Sequence, residues 1–191
     1  MRSLAHFVFV ISLLVVYCWP RPFGVFANDE FTYLFTASRL VDHHTVFYTN
    51  EPMQRYRDPA FAPHWYIPVS ETLSAPKYYP GFPLILSIFY VFGGTRAMEY
   101  ANAVLGLLGL WLVYQLGTLL FSRSAGWIAV LLLAFNPMYL TMVYKTMSHM
   151  TATICLLLSL WCWFTPSERK SRLLGWCSGL LIGYAVFTRR M

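Results

Sequence analysis

Residues 97–121 read AMEYANAVLGLLGLWLVYQLGTLLF. The run carries one acid, Glu99, near its start and the amide Gln115 within. A helix needs about 20 predominantly apolar residues to cross a bilayer, and this stretch supplies them. The whole chain agrees with it. Hydrophobic residues make up 58%, aromatics 18% and charged residues 12% of the 191, and the mean hydropathy is +0.51. Soluble domains carry roughly 25% charged residues, and a globular core of this size could not absorb the apolar excess. The reading is an all-α integral membrane protein with about five transmembrane helices and two interfacial helices in a long first extracytoplasmic loop.

Further along, Ser122-Arg123-Ser124 is a tight turn. Residues 125–144 span back, and Asn136-Pro137 inside them predicts a kink or local opening. A short polar turn follows, carrying Lys145, Ser148 and His149. Residues 148–164 form the next span, Thr165 to Arg172 is basic, and residues 173–188 form the fifth. The chain ends on Thr188-Arg189-Arg190-Met191. In the other direction, residues 81–94 (GFPLILSIFYVFGG) are apolar but fall short of the ~20 needed to cross. Pro80 and Pro83 open this segment and Gly93-Gly94 close it, which predicts an interfacial or re-entrant helix. Residues 4–19 (LAHFVFVISLLVVYCW), preceded by Arg2 and ended by Pro20 and Pro22, form the first span, uncleaved rather than a signal peptide.

The loop over residues 20–96 is different material. Seven of the eight acids in the chain fall between Pro20 and Glu99. Asp29 and Glu30 stand side by side just after the first span. Residues 30–41 have helical character, capped by Asn28 or Asp29, and are read as a helix lying on the membrane surface. Residues 43–76 are read as irregular. His43, His44 and His64 show no metal-ligand period, and Cys18, Cys155, Cys162 and Cys177 all lie in apolar runs. No zinc site, disulfide framework or other metal site is supported. The net charge of +6 is scattered between apolar runs, with no basic patch beside an aromatic platform, so no nucleic-acid partner is expected.

With the N-terminus inside, Arg123 and the basic 169–172 cluster also fall inside. The acidic loop falls outside. So do Lys77, Arg96, Lys145, Arg189 and Arg190, against the usual bias. Cations on that face call for an anionic partner, and a lipid phosphate is the natural one. Ordinary snorkelling to headgroups is the plainer alternative. A carboxylate on the same face can deprotonate an incoming nucleophile, and the cations can stabilise a departing phosphate. Two other classes stay open: a transporter or flippase-like subunit for an amphipathic anion, and a non-catalytic membrane assembly subunit. A transporter calls for an internal repeat, and none is found.

These residues resemble the N-terminal part of the GT-C membrane glycosyltransferases, which include the protein O-mannosyltransferases and the aminoarabinose transferase of lipid A. The matching features come in order: Asp29-Glu30-Phe31-Thr32-Tyr33; Lys77-Tyr78-Tyr79-Pro80-Gly81-Phe82-Pro83 with its apolar run; Ser122-Arg123-Ser124-Ala125-Gly126; Asn136-Pro137; and a Gly-rich span, Gly179 to Arg189. The resemblance implies transfer of a sugar from a polyprenyl-phosphate donor to a lipid, glycan or protein acceptor outside the cytoplasm, with inversion. It implies Asp29, with Glu30, in catalysis, and Lys77, Tyr33, His149 and Arg189 in substrate binding. It implies no cofactor beyond the donor, membrane lipids as surroundings, and a multi-pass protein of the bacterial inner membrane. Two departures stand out. Ser148-His149 occupies a loop where many relatives have Asp, and Pro80-Gly81 replaces Pro-Pro. Relatives continue for further spans, so the chain is expected to be truncated and inactive alone.

Overall fold

The protein is described by a computed structural model covering Leu13, Val15, Tyr17, residues 28–165 and residues 172–188. The first predicted span lies outside the described residues except for those three positions. Arg189 and most of the basic 169–172 cluster also lie outside them. The described helices are α1 (Asn28–Asp42), α2 (Glu51–Tyr56), α3 (Gly81–Glu99), α4 (Ala101–Leu120), α5 (Arg123–Ala134), α6 (Pro137–Tyr144), α7 (Ser148–Phe164) and α8 (Arg172–Thr188). Two short strands, β1 (Tyr66–Pro68) and β2 (Ser74–Pro76), pair antiparallel.

The apolar runs become a helical bundle. α4 packs on α5, α6 and α7, and α7 packs on α8. Ala103, Leu110, Leu112, Val130, Tyr139, Val143 and Ile154 form its core. Leu13 and Tyr17, one helical turn apart, belong to the same core. Tyr17 donates its hydroxyl to the Ala134 carbonyl at 3.2 Å, and Tyr139 donates to the Gly106 carbonyl at 2.7 Å. The predicted kink is present: α5 and α6 meet at 65°. Pro137 cannot donate to the α5 ladder, and the Asn136 Oδ1 instead caps a new helix, accepting from the Met138 and Tyr139 N–H groups at 2.9 and 3.1 Å. The 125–144 span is therefore two helices rather than one.

Gly81–Glu99 and Ala101–Leu120 have the length and apolarity of a membrane span, and α5 with α6 passes as one bent span. α3 nevertheless lacks a span's straightness. Gly93 and Gly94 leave helical geometry, and Gly94 adopts φ 63°, ψ −155°, a region open only to glycine. The chain turns back there. Before the break it follows α1: Phe82 meets Tyr33, and the Tyr90 hydroxyl donates to the Asp42 carboxylate at 2.8 Å. After the break, Met98 and Ala101 rejoin the cluster of Tyr33, Leu34, Ala37, Phe82 and Leu86. Tyr100 keeps right-handed dihedrals, so the piece after the glycines runs on into α4 with only a local tightening. The break falls at Gly93-Gly94, the glycines that close the apolar segment 81–94.

Residues 43–76, read as irregular, hold defined structure. The Asn50 side chain caps α2, whose Pro52 stands in the first turn, and the β-hairpin follows. Three-residue strands carry too little alternation to be seen in sequence. The hairpin covers α1 from the side opposite α3. The Tyr66 hydroxyl meets the Thr36 hydroxyl at 3.2 Å, and Phe35 packs edge-on against Tyr48 and Tyr66. α1 is therefore flanked by protein on two sides.

Candidate active site

The N-terminus of α1 collects the acids. Asp29 and Glu30 occupy its first turn, where the free N–H groups and the helix dipole favour negative charge. Thr32 secures the turn by donating its hydroxyl to the Asn28 carbonyl at 3.0 Å. At the far end, Arg39 lies in the last turn and His44 enters the left-handed region at φ 53°, which stops the helix.

The two acids face different surroundings. Glu30 is 3% exposed, and its Oε1 accepts the Thr146 backbone N–H at 3.0 Å. Asp29 is half-buried, and its Oδ1 accepts a hydrogen bond from the Tyr78 hydroxyl. One carboxylate is thus tied to main chain between α6 and α7. The other opens toward the segment that leads into α3.

Tyr33, one turn after Asp29, completes the join. Its ring packs at 5.1 Å against both Tyr78 and Phe82. Its hydroxyl meets the Ser148 hydroxyl, at the first position of α7, at 3.1 Å. Three pieces of chain therefore converge: the start of α1, the Lys77–Pro83 segment and the α6–α7 corner at Lys145–Met147. The corner is held from behind by Asn102. Its amide nitrogen lies 3.3, 2.6 and 2.9 Å from the Met142, Lys145 and Met147 carbonyls.

The end of α8 reaches the same region. Tyr184 donates its hydroxyl to the Gly81 carbonyl at 2.7 Å, and Tyr79 stacks on Phe187. Gly81 is required by this approach, because a β-carbon there would lie 2.7 Å from the Phe187 carbonyl oxygen. Lys77 is exposed and adjacent in sequence to Tyr78. His149 is half-buried beside Ser148, and its carbonyl accepts the Thr153 hydroxyl at 2.9 Å. Thr188 is the last described residue of α8, and Arg189 follows it outside the described residues.

On the hairpin side, Phe31 packs edge-on against Trp65 at 4.8 Å, and the Arg39 guanidinium lies 5.4 Å over the Tyr48 ring. Burial raises the Tyr66 phenol above its ordinary pKa. Among the described residues, no three His, Cys, Asp or Glu side chains group as a metal-ligand set.

A family model described as dolichyl-phosphate-mannose-protein mannosyltransferase matches residues 76–191, more than half of the chain. The chain belongs to that mannosyltransferase family. It is a membrane glycosyltransferase of the GT-C type. The matched region begins just before Lys77 and takes in the α3 break, the α6–α7 corner and α8. Asp29 and Glu30 precede it, and the Tyr78–Asp29 bond joins the acid to the family-matched segment. No curated protein and no solved structure matches the chain.

Asp29, Glu30, Tyr33, Lys77 and His149 carry roles expected from sequence, whereas Tyr78, Thr146 and Asn102 carry none. The contacts of these three run to residues 40 or more positions away, and no local pattern announces them.

Proposed function

We propose that this glycosyltransferase moves a sugar from a polyprenyl-phosphate donor to an acceptor hydroxyl at the end of the bundle where α1, Lys77–Pro83 and the α6–α7 corner meet. Dolichyl-phosphate mannose is the donor that the family's description suggests. Asp29 is the base. Its carboxylate takes the acceptor proton as the acceptor oxygen attacks the anomeric carbon. The bond from that carbon to the phosphate oxygen breaks, and the polyprenyl phosphate leaves with the electron pair. One displacement inverts the anomeric centre. Lys77 and Arg189 take the growing charge on the phosphate. His149 and Tyr33 line the substrate site, Tyr33 through its contact with Tyr78. Glu30 serves the site by holding the Thr146 N–H, and so the corner, in place. The broken helix α3 lies along α1 at the membrane's outer surface, and the crossing begins after Gly94.

The observation that carries this reading is the Tyr78–Asp29 hydrogen bond, which places a half-buried acid against the segment that opens the family match. The test is the anomeric configuration of the product, read by NMR after incubation of the membrane-inserted protein with a polyprenyl-phosphate sugar of known anomer and an acceptor. Inversion is expected. Retention would remove the single displacement, and absence of any transferred sugar would remove the function from this chain.

A further inference from the structure

Asn102 is fully buried in the first turn of α4, within the apolar run ANAVLG. Its amide nitrogen faces three main-chain carbonyls, of Met142, Lys145 and Met147, and the shortest contact, 2.6 Å, is to Lys145. Three acceptors around one atom fix which end of the amide is nitrogen, since an oxygen there would face only lone pairs. The other end, Oδ1, is buried without a hydrogen-bond partner. Leaving a buried acceptor unpaired is costly, and an apolar residue would avoid the cost. What the carboxamide contributes is its nitrogen, which gathers the carbonyls of the corner between α6 and α7.

That corner is gripped from two sides. Asn102 holds the Lys145 and Met147 carbonyls, and the Glu30 carboxylate holds the Thr146 N–H between them at 3.0 Å. The Met147 N–H also turns back to the Lys145 carbonyl at 2.9 Å. The Lys145 N–H donates to the Thr141 carbonyl at 3.1 Å, so both main-chain groups of Lys145 are tied down, while its side chain is exposed. The grip by Glu30 and the Tyr33–Ser148 contact put this corner at the same end of the bundle as Asp29.

We infer that Lys145 is a further phosphate-binding cation of the donor site and that Asn102 is its positioning residue, acting through the Lys145 backbone. This deepens the proposed transfer and rests on that reading for the identity of the phosphate. A lysine is a point charge on a flexible stem, so its usefulness to a phosphate depends on where its backbone is held. The shared chemistry is a lipid-linked phosphate, and the donor and a phospholipid headgroup are its two sources.

The test uses the full chain in nanodiscs and a fluorescent polyprenyl monophosphate as probe, with the corresponding polyprenol as the uncharged control. Asn102→Ala and Lys145→Ala should each weaken monophosphate binding about tenfold and leave polyprenol binding within about twofold. The double variant should be no more than about twofold weaker than the worse single one, because both changes remove the same interaction. Asn102→Ser carries the test where the Ala variant does not fold. Wild-type affinity in the Asn102 variant, equal loss for phosphate and alcohol, or fully additive losses would each overturn the assignment. Displacement of the probe by phosphatidylglycerol at equal concentration would make the site a headgroup site and overturn its place in the donor pocket. Sugar transfer is measured in the same preparations. Loss of the clamp effect with wild-type transfer intact sinks only this inference, whereas a clamp effect without any wild-type transfer sinks the functional reading instead.

Discussion

The partners of the tyrosine hydroxyls divide this protein into two regions. In the bundle, Tyr17 and Tyr139 give their hydroxyls to main-chain carbonyls, of Ala134 and Gly106. In the outer module of α1, the hairpin and the approach to α3, tyrosines turn to side chains. Tyr78 meets Asp29, Tyr33 meets Ser148, Tyr66 meets Thr36 and Tyr90 meets Asp42. The same residue type does two jobs. Among apolar helices a phenol supplies a hydroxyl that must find a partner, and a backbone carbonyl is always within reach. In the outer module two of the phenols are linked to carboxylates, Tyr78 to Asp29 and Tyr90 to Asp42, and two to side-chain hydroxyls. The difference separates the bundle's scaffold contacts from those around the proposed site.

Four substitutions probe that division. Leu112→Ala should have the largest effect on stability, about 3 kcal/mol, because this buried leucine lies in the bundle core. Turnover per folded molecule should stay unchanged, measured by thermal unfolding alongside single-turnover transfer. A fall in turnover without a fall in stability would erase the boundary between the regions. Glu30→Ala crosses that boundary. It strands the buried Thr146 N–H and frees the corner, so it should cost about 2 kcal/mol in the same melt and also lower transfer. Stability lost with transfer intact would make Glu30 part of the scaffold alone. Tyr78→Phe is the outer-module exchange. It should lower the transfer rate about tenfold, equivalent to ~1.4 kcal/mol, with little change in melting temperature. A melt shifted as far as the rate would place Tyr78 with the bundle tyrosines. Tyr139→Phe is the matching bundle exchange and the smallest effect, about 1 kcal/mol of stability with transfer unaltered.

The bundle was legible because apolar runs and their interruptions carry the signal directly. Gly93-Gly94 marked where helical geometry breaks inside α3, and Asn136-Pro137 marked the bend between α5 and α6. The outer module was legible only in outline. The sequence pattern gives a helix over residues 30–41 where the structure has Asn28–Asp42, but β1 and β2 are too short to have a period, and Asn50 stands in no pattern that announces it as a cap. In the candidate site, charge and position suggested Asp29, Glu30 and Lys77. What sequence withheld was the division of labour between the two acids. Nothing in Asn28-Asp29-Glu30 says which carboxylate turns toward Thr146 and which toward Tyr78. That is decided by residues 116 and 49 positions away, through contacts that exist only once α1, α3 and α7 have packed. Asn102 was hidden for the same reason, as one amide in an apolar run.

The central claim is that Asp29 removes the acceptor proton, and the rate of sugar transfer by Asp29→Asn tests it most directly. Asparagine keeps the size of the side chain and can still meet Tyr78, but it cannot act as a base at neutral pH. Transfer should fall about 100- to 10,000-fold, while binding of polyprenyl monophosphate and melting temperature stay near wild type. Wild-type turnover by the Asn variant would contradict the account, and so would a loss explained wholly by weaker donor binding.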